Sequence, residues 1–93
     1  MWLSKGNISK HAYWYCLHII DIPEIRKCIT FSYYAYWYCY YIKDDPEVRK
    51  HITIPMNAYW YCKNIKDDPK VRKYIINKLY LKELSERRGN VVK

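Results

Sequence analysis

The sequence predicts an all-α fold: a small α-solenoid of three 23-residue repeats with two helices each, and a long C-terminal capping helix. The first observation is that the stretch AYWYC occurs three times with a constant spacing of 23 residues. The second is that three units align without gaps, at residues 11–33, 34–56 and 57–79. The third is that two of the 93 residues are glycine, which favours helices over turns. Because two short helices bury too little apolar surface alone, we expect the units to stack into one repeat domain over residues 1–93.

The first element of each unit is predicted to be an α-helix, in the first unit from about Lys10 to Ile20. Ala12, Tyr15, Cys16 and Ile19 recur at helical spacing, so they fall on one face and are expected to build the core. Serine stands in the N-cap position of the first two units, as Ser9 and Ser32.

The second element of each unit is predicted to be a short helix of about seven residues that opens at Asp-x-Pro. In the sequence Asp44-Asp45-Pro46 an aspartate can cap the helix, and proline is favoured in the first turn. In the first unit, Ile25 and Ile29 are expected to face inward. The acidic pairs before proline are therefore read as caps and not as cation ligands.

The last short helix is predicted to continue into a long capping helix over about residues 69–88. The apolar spacing runs through Val71, Ile75 and Leu79. Gly89 is the expected C-terminal stop. Such a helix would close one end of the stack.

Three segments, DIPEIRKCI, DDPEVRKHI and DDPKVRKYI, are similar to sequences of known repeat families. They resemble the Asp-x-Pro-Glu-Val-Arg helix openings of HEAT-like and leucine-rich-variant repeats. The AYWYC half departs from those families and is similar to short Tyr-rich helical repeats of phage and large-virus proteins. The resemblance covers residues 11–79. It implies a superhelical binding scaffold without catalytic residues, and a phage or viral source.

Composition limits the functions that this chain can have. No phosphate-binding loop, GxSxG or HExxH motif is present, and no cysteine pair has CxxC spacing. We therefore expect no enzyme activity, no metal and no cofactor, and we read the cysteine of each AYWYC stretch as a buried thiol. The sequence MWLSKGNISK lacks the apolar core of a signal peptide, and no apolar run is long enough to span a membrane. The expected location is the cytoplasm, that of the host cell if the protein is viral.

An aromatic row is the first candidate binding site. The repeated tryptophan lies about 200° around the helix from the predicted core face, among positions that vary between units. Two interpretations stay open: the tryptophans pack between units, or they form a ladder that contacts one long partner. The candidate residues are Trp14, Trp37, Trp60, Tyr34, Tyr40, Tyr41 and Lys63.

A basic row is the second candidate. The net charge of +8 favours acidic partners, and most of it lies in the C-terminal third. Two interpretations stay open here as well: a solvated face with ion pairs to the repeated aspartates, or a ridge that binds phosphates. The candidate residues are Arg26, Arg49, Arg72, Lys73, Arg87 and Arg88.

Two functional hypotheses of different class remain. The first is a non-enzymatic binding protein whose partner is a protein, for example a phage or viral inhibitor or adaptor that acts on a host nucleic-acid-handling or defence enzyme. The second is direct binding of single-stranded DNA or RNA, in which rings stack on bases and cations follow the backbone. The first is favoured because the middle unit carries no net charge and acidic caps would interrupt a phosphate track. Self-association through exposed tyrosines is a further expectation.

Overall fold

The computed structural model describes the backbone of residues 4–92, together with the side chains of residue 4 and residues 6–86. Over this range the chain forms seven α-helices and no strand. The helices are α1 (Lys5–His18), α2 (Pro23–Arg26), α3 (Ser32–Tyr41), α4 (Pro46–Arg49), α5 (Pro55–Asn64), α6 (Pro69–Arg72) and α7 (Lys78–Val92). None of these helices is long and apolar enough to cross a membrane.

The first long helix begins earlier than the sequence predicted. Helix α1 starts at Lys5, because Ser4 serves as its N-cap and its hydroxyl oxygen accepts a 3.1 Å hydrogen bond from the backbone N–H of Asn7. The predicted start at Lys10 and the predicted capping role of Ser9 are therefore wrong.

Ser9 instead anchors the segment that leads from α2 to α3. It is fully buried inside α1. Its hydroxyl oxygen accepts hydrogen bonds of 3.0 Å from the backbone N–H groups of Thr30 and Phe31. Ser32 is likewise the first residue of α3 and not its cap, and its hydroxyl oxygen accepts from the N–H of Ile54 at 3.2 Å. Both serines therefore satisfy backbone N–H groups in the segment that leads to the next long helix.

The three short helices are single turns of four residues, shorter than the seven predicted. Each begins with proline, whose fixed backbone angle suits the first turn. As predicted, an aspartate caps the second and third of them: Asp45 accepts from the N–H of Glu47, and Asp68 accepts from the N–H of Lys70, each at 2.8 Å. In the first unit Ile22 occupies this position, and α2 has no side-chain cap.

The predicted helix over about residues 69–88 is divided in two. Helix α6 ends at Arg72, and α7 begins at Lys78 after a non-helical stretch. Asn77, which precedes α7, caps its N-terminus: the side-chain oxygen accepts a 2.8 Å hydrogen bond from the N–H of Leu79. The backbone of α7 continues through Gly89, so this glycine is not the stop that the sequence predicted. Helices α3, α5 and α7 thus begin 23 residues apart, and α7 takes the place of a further long helix.

The helices pack in chain order. Helix α1 lies against α3, α3 against α5 and α5 against α7, while each short helix packs on the long helix that precedes it. The core is built from recurring small and apolar residues. It contains Ala12, Cys16, Ile29, Ala35, Tyr38, Cys39, Val48, Ile52, Ala58, Tyr61, Cys62, Val71, Ile75 and Leu84.

The core differs from the predicted face in two respects. Ile19 is 69% exposed, so its predicted core position is wrong in the first unit, whereas its counterparts Ile42 and Ile65 are partly buried against the core. The first tyrosine of each AYWYC stretch is buried, although the sequence did not place it in the core; these residues are Tyr13, Tyr36 and Tyr59. Because neighbours in chain order cover two sides of a long helix, the buried arc is wider than a single apolar stripe.

Candidate functional site

The three tryptophans have different surroundings, so they do not form a uniform exposed row. Trp14 is 51% exposed, and its ring stacks on His18 with centroids 4.3 Å apart. Trp37 and Trp60 are half-buried and pack against the core. The ring of Trp60 lies 5.6 Å from that of Tyr36 in the preceding unit. Packing between units therefore accounts for Trp60, while Trp14 faces solvent.

An exposed aromatic cluster surrounds Trp37 on α3. We call Tyr33, Trp37, Tyr40 and Tyr41 the aromatic surface. Tyr41 stacks on Trp37 with centroids 5.3 Å apart, and Tyr33 meets the same ring edge-on at 6.1 Å. The three tyrosines are exposed. Ring pairs of this kind hold each other in place, so the cluster presents ordered aromatic area to solvent.

The aromatic surface borders an open depression of about 350 Å³ at the junction of the first two units. It is lined by Tyr13, Tyr33, Tyr34, Trp37 and Tyr41. Tyr34, a predicted site residue, is half-buried and packs against the core, with its ring 6.0 Å from that of Tyr13. Sequence reasoning missed Tyr33, although its spacing of four residues from Trp37 places the two on one helical face.

Some of the positions that vary between units contact the preceding long helix, and one of them, Asn57, is buried. The buried side-chain oxygen of Asn57 accepts a 2.9 Å hydrogen bond from the hydroxyl of Ser32. The amide of Asn64 donates to the hydroxyl of Tyr36 at 3.0 Å. Variation at these positions thus reflects a different side-chain pairing at each junction and not uniform exposure to solvent.

The repeated arginines are engaged by carboxylates. Arg26 is 14% exposed, and its guanidinium lies 3.1 Å from Asp21 of its own unit and 3.4 Å from Asp45 of the next. Arg49 repeats this pattern with Asp44 at 2.9 Å and Asp68 at 3.5 Å.

Arg72 lies 2.7 Å from Asp67 and is also within 3.4 Å of the Ser85 hydroxyl on α7. The three guanidinium groups therefore connect neighbouring segments along the chain.

The second tyrosine of the AYWYC stretch joins the same network. The hydroxyl of Tyr38 donates to Asp21 at 2.7 Å, and that of Tyr61 donates to Asp44 at 2.8 Å. Burial alone would raise the pKa of Asp21, but hydrogen bonds from Tyr38 and Arg26 outweigh it and hold the pKa below its usual value. The pKa of Asp44 is lowered in the same balance, where bonds from Arg49 and Tyr61 outweigh burial. Both carboxylates are thus stabilised in their charged form.

A basic depression lies between the short helices α4 and α6. It has a volume of about 420 Å³ and is lined by Pro46, Glu47, Arg49, Lys50, Lys70, Val71, Lys73 and Tyr74. The ammonium of Lys73 lies 5.2 Å from the centre of the Tyr74 ring, and Lys50 pairs with Glu47 at 3.0 Å. Three exposed lysines therefore surround one open depression.

The remaining basic candidates lie near the C-terminal helix. The ammonium of Lys63 lies 3.7 Å from Glu83 of α7 and 5.6 Å from the centre of the Tyr59 ring. The side chains of Arg87 and Arg88 lie outside the described residues.

The cysteines of the repeated stretch are buried and form no disulfide. Burial raises the pKa of Cys16 to about 11 and that of Cys39 to about 12, so both are thiols at neutral pH. A thiol in this state is a poor nucleophile and a poor metal ligand. Within the described residues, no three His, Cys, Asp or Glu side chains are grouped so that they could hold a metal ion.

Comparison of the chain with protein-family models, with curated proteins and with solved structures yields no match.

Proposed function

We propose that the protein is a non-enzymatic helical-repeat binding protein that holds a partner protein on its aromatic surface. The three 23-residue units form a small α-solenoid in this proposal, and α7 caps its C-terminal end. If the source is a phage or virus, the protein acts in the host cytoplasm as an inhibitor or adaptor of a host nucleic-acid-handling or defence enzyme.

The aromatic surface is the observation that carries the proposal. Tyr33, Tyr40 and Tyr41 expose large rings beside Trp37 on one helix. Tyrosine and tryptophan are enriched among the residues that dominate protein–protein affinity. Contiguous exposed apolar patches are uncommon on monomers and often serve as binding surfaces, which supports the proposal.

The rigid support under this surface favours the same function. Tyr36 and Tyr38 lie on the buried side of α3, and Tyr38 is tied to Asp21 by a hydrogen bond. Affinity is higher when a surface is preorganised, since less conformational entropy is lost on binding.

A capture experiment with matched variants tests the proposal. Immobilised wild-type protein, a Tyr40→Ser/Tyr41→Ser double variant and an Ile76→Ser control are incubated with host extract, and any captured protein is purified for titration calorimetry. Ile76 is suited as a control because it is apolar, 79% exposed and outside the aromatic surface.

We expect the double variant to bind the purified partner about tenfold or more weakly, equivalent to about 1.4 kcal/mol, and the Ile76→Ser control to bind as the wild type does. A partner that binds the double variant with wild-type affinity would place the interface elsewhere. Failure to capture any partner would count against protein binding.

Direct binding of single-stranded nucleic acid is the second candidate, and the basic depression favours it. Lys50, Lys70 and Lys73 surround this depression, and Tyr74 offers a ring beside them. A cationic track with an aromatic platform is the arrangement used for single strands.

Polarisation of a fluorescent single strand of about 20 nucleotides distinguishes the two functions. Binding through phosphates should weaken steeply between about 50 and 200 mM salt. A Lys70→Ala/Lys73→Ala variant should then lose affinity, while Lys10→Ala, a change at an exposed lysine of α1, should not. Absence of binding at the lower salt would remove this candidate, because charge attraction is strongest there.

A further inference from the structure

The first unit presents an open packing surface. In the second unit, Tyr34 and Tyr38 contact the residues of the unit before them. Tyr61 and Asn64 do the same in the third unit. The residues that stand at these positions in the first unit are His11, Tyr15 and His18. In the structure, His11, His18 and Ile19 on this side of α1 are exposed, and Tyr15 is partly exposed.

We call Ile8, His11, Tyr15, His18 and Ile19 the N-terminal edge. It contains two open depressions, of about 470 and 280 Å³. The larger is lined by His11, Trp14, Tyr15, His18 and Ile19, and the smaller by Ile8, His11, Ala12, Tyr15, Ile25 and Cys28. Ile8 and Ile19 are both exposed. The end unit of a helical stack normally carries a polar outer face, so this edge has the character of an interface.

The edge differs from the inner junctions in its charges. The inner junctions place Asp45 and Asp68 opposite arginines of the preceding unit. In the first unit the same position is Ile22. A preceding unit that presented its arginine would therefore find no carboxylate, which argues against another repeat of the same kind as the occupant.

The polar groups of the edge fit those of an identical surface. The hydroxyl of Tyr15 makes no hydrogen bond with the described residues, whereas its counterparts Tyr38 and Tyr61 donate to aspartates. A neutral imidazole has one nitrogen that accepts and one that donates. An imidazole of a second copy, from His11 or His18, can therefore accept a hydrogen bond from the Tyr15 hydroxyl.

Helix α7 blocks a head-to-tail contact that would repeat the inner junctions. Helix α7 covers α5, with the ring of Tyr80 stacked on Tyr59 at 4.3 Å. Its exposed side chains include Leu79 as well as the charged residues Lys82 and Glu86. The surface that a third unit would offer to the N-terminal edge of another copy is thus already occupied.

The charge distribution favours contact between the two N-terminal edges. Residues 1–30 carry four basic and two acidic groups, a net charge of +2, whereas residues 57–93 carry ten and four, a net charge of +6. Pairing through the N-terminal edge places the two basic thirds at opposite ends of the assembly. Repulsion between copies is then weakest, because screened charges interact little beyond about 10 Å.

We propose that the N-terminal edge is a self-association surface on which a second copy of this chain docks by two-fold symmetry. Such an interface is isologous: each copy contributes the same residues, and the assembly closes at two copies. The aromatic surface lies outside this edge, so the dimer carries two copies of it.

Sedimentation velocity at protein concentrations from about 1 to 200 μM tests the proposal. A weak dimer dissociates at the low end of this range and forms at the high end. The expected mass rises from 11.5 kDa to twice that value. Ile19→Asp should keep the protein monomeric, because it places charge in a dry contact between two identical surfaces. Ile8→Asp provides the same test at a second position of the edge. The matched control is Ile76→Asp, which adds the same charge at a residue that is 79% exposed and lies outside the edge.

Three results would overturn the proposal: a monomer at the highest concentration, a dimer that survives both edge substitutions, or assemblies larger than two copies. Circular dichroism of each variant confirms that it is folded. The capture experiment on Tyr40 and Tyr41 is independent, since those residues lie outside the edge, and failure of either proposal leaves the other standing.

Discussion

The hydroxyl of Tyr38 lies 2.7 Å from a carboxylate oxygen of Asp21, which stands 17 residues earlier in the chain. The hydroxyl of Tyr61 has the same relation to Asp44, at 2.8 Å and the same separation. Both tyrosines are fully buried. This hydrogen bond is therefore a recurring polar contact between one unit and the unit before it.

Tyr61→Phe should lower the free energy of unfolding by about 1.5–3 kcal/mol. The change removes a donor to a charged and partly buried acceptor, and hydrogen bonds to charged groups contribute about that amount. Urea unfolding followed by circular dichroism measures the loss. Tyr40→Phe is the control, because Tyr40 is exposed and surface changes stay within about 0.5 kcal/mol. Equal stability of the two variants would mean that the Asp44 contact contributes nothing.

Stability should fall in acid. The pKa values of Asp21 and Asp44 are below their usual value in the folded protein. Their contribution is fully present above the unfolded pKa of about 4 and is lost as pH falls through the folded pKa. Urea midpoints measured from about pH 6 down to 2 record this loss.

Asp44→Asn should make that dependence on pH shallower, because one of the two titrating contacts is gone. Glu47→Gln should leave it unchanged, since the Glu47 side chain is 77% exposed. Identical pH dependence in both variants would show that Asp44 does not contribute to acid unfolding.

Leu84→Ala should destabilise the protein by about 2–5 kcal/mol, the usual effect of truncating a buried leucine. Leu84 is the buried leucine of α7, while Leu79 on the same helix is 74% exposed. Leu79→Ala should therefore change stability by about 0.5 kcal/mol or less. Thermal melts of the two variants measure the difference. Similar losses in both would contradict the orientation of α7.

The three tryptophans should respond unequally to truncation. Trp14→Ala should cost about 1 kcal/mol or less, the worth of its stack on His18. Trp60→Ala should cost about 2–4 kcal/mol, because Trp60 is half-buried and packs against the core. Urea unfolding of the single variants gives the order. A larger loss from Trp14→Ala would contradict its exposure.

Much of the helical architecture could be predicted from local chemistry. Proline with a preceding aspartate located the short helices, and Asp45 and Asp68 do cap them. Ala12 and Cys16 are buried, as their helical spacing indicated. These features depend on residues close in sequence, which is why a single chain reveals them.

The wrong predictions concern residues whose structure depends on contacts with segments far away in sequence. Apolar spacing alone extended the last short helix through Ile75 to Leu79, but Ile75 is buried in a non-helical stretch, as Ile29 and Ile52 are in the earlier units. The 23-residue register already contained this information, because it places Ile75 level with those two isoleucines. Local periodicity and repeat register disagreed here, and the register was the correct guide.

The candidate site was predicted in part. Tyr40 and Tyr41 are exposed, as expected, but the three tryptophans were treated as equivalent although only Trp14 of the three is exposed. Their burial depends on whether another unit lies in front of them, which one helical wheel cannot show. For the basic row two interpretations were open, and Arg26 and Arg49 follow the one with ion pairs to the repeated aspartates, because carboxylates of two successive units lie beside each guanidinium.

The side chains at the junctions also limit how this protein can change in length during evolution. The first junction pairs Tyr13 with Tyr34, whereas the second pairs Ser32 with the buried Asn57. Duplication of residues 34–56 would put a second Tyr34 where Asn57 fits, and the larger ring would overfill that space. A gene duplication would therefore need compensating substitutions at the new junction before a longer protein became stable. The three units are thus not interchangeable in order.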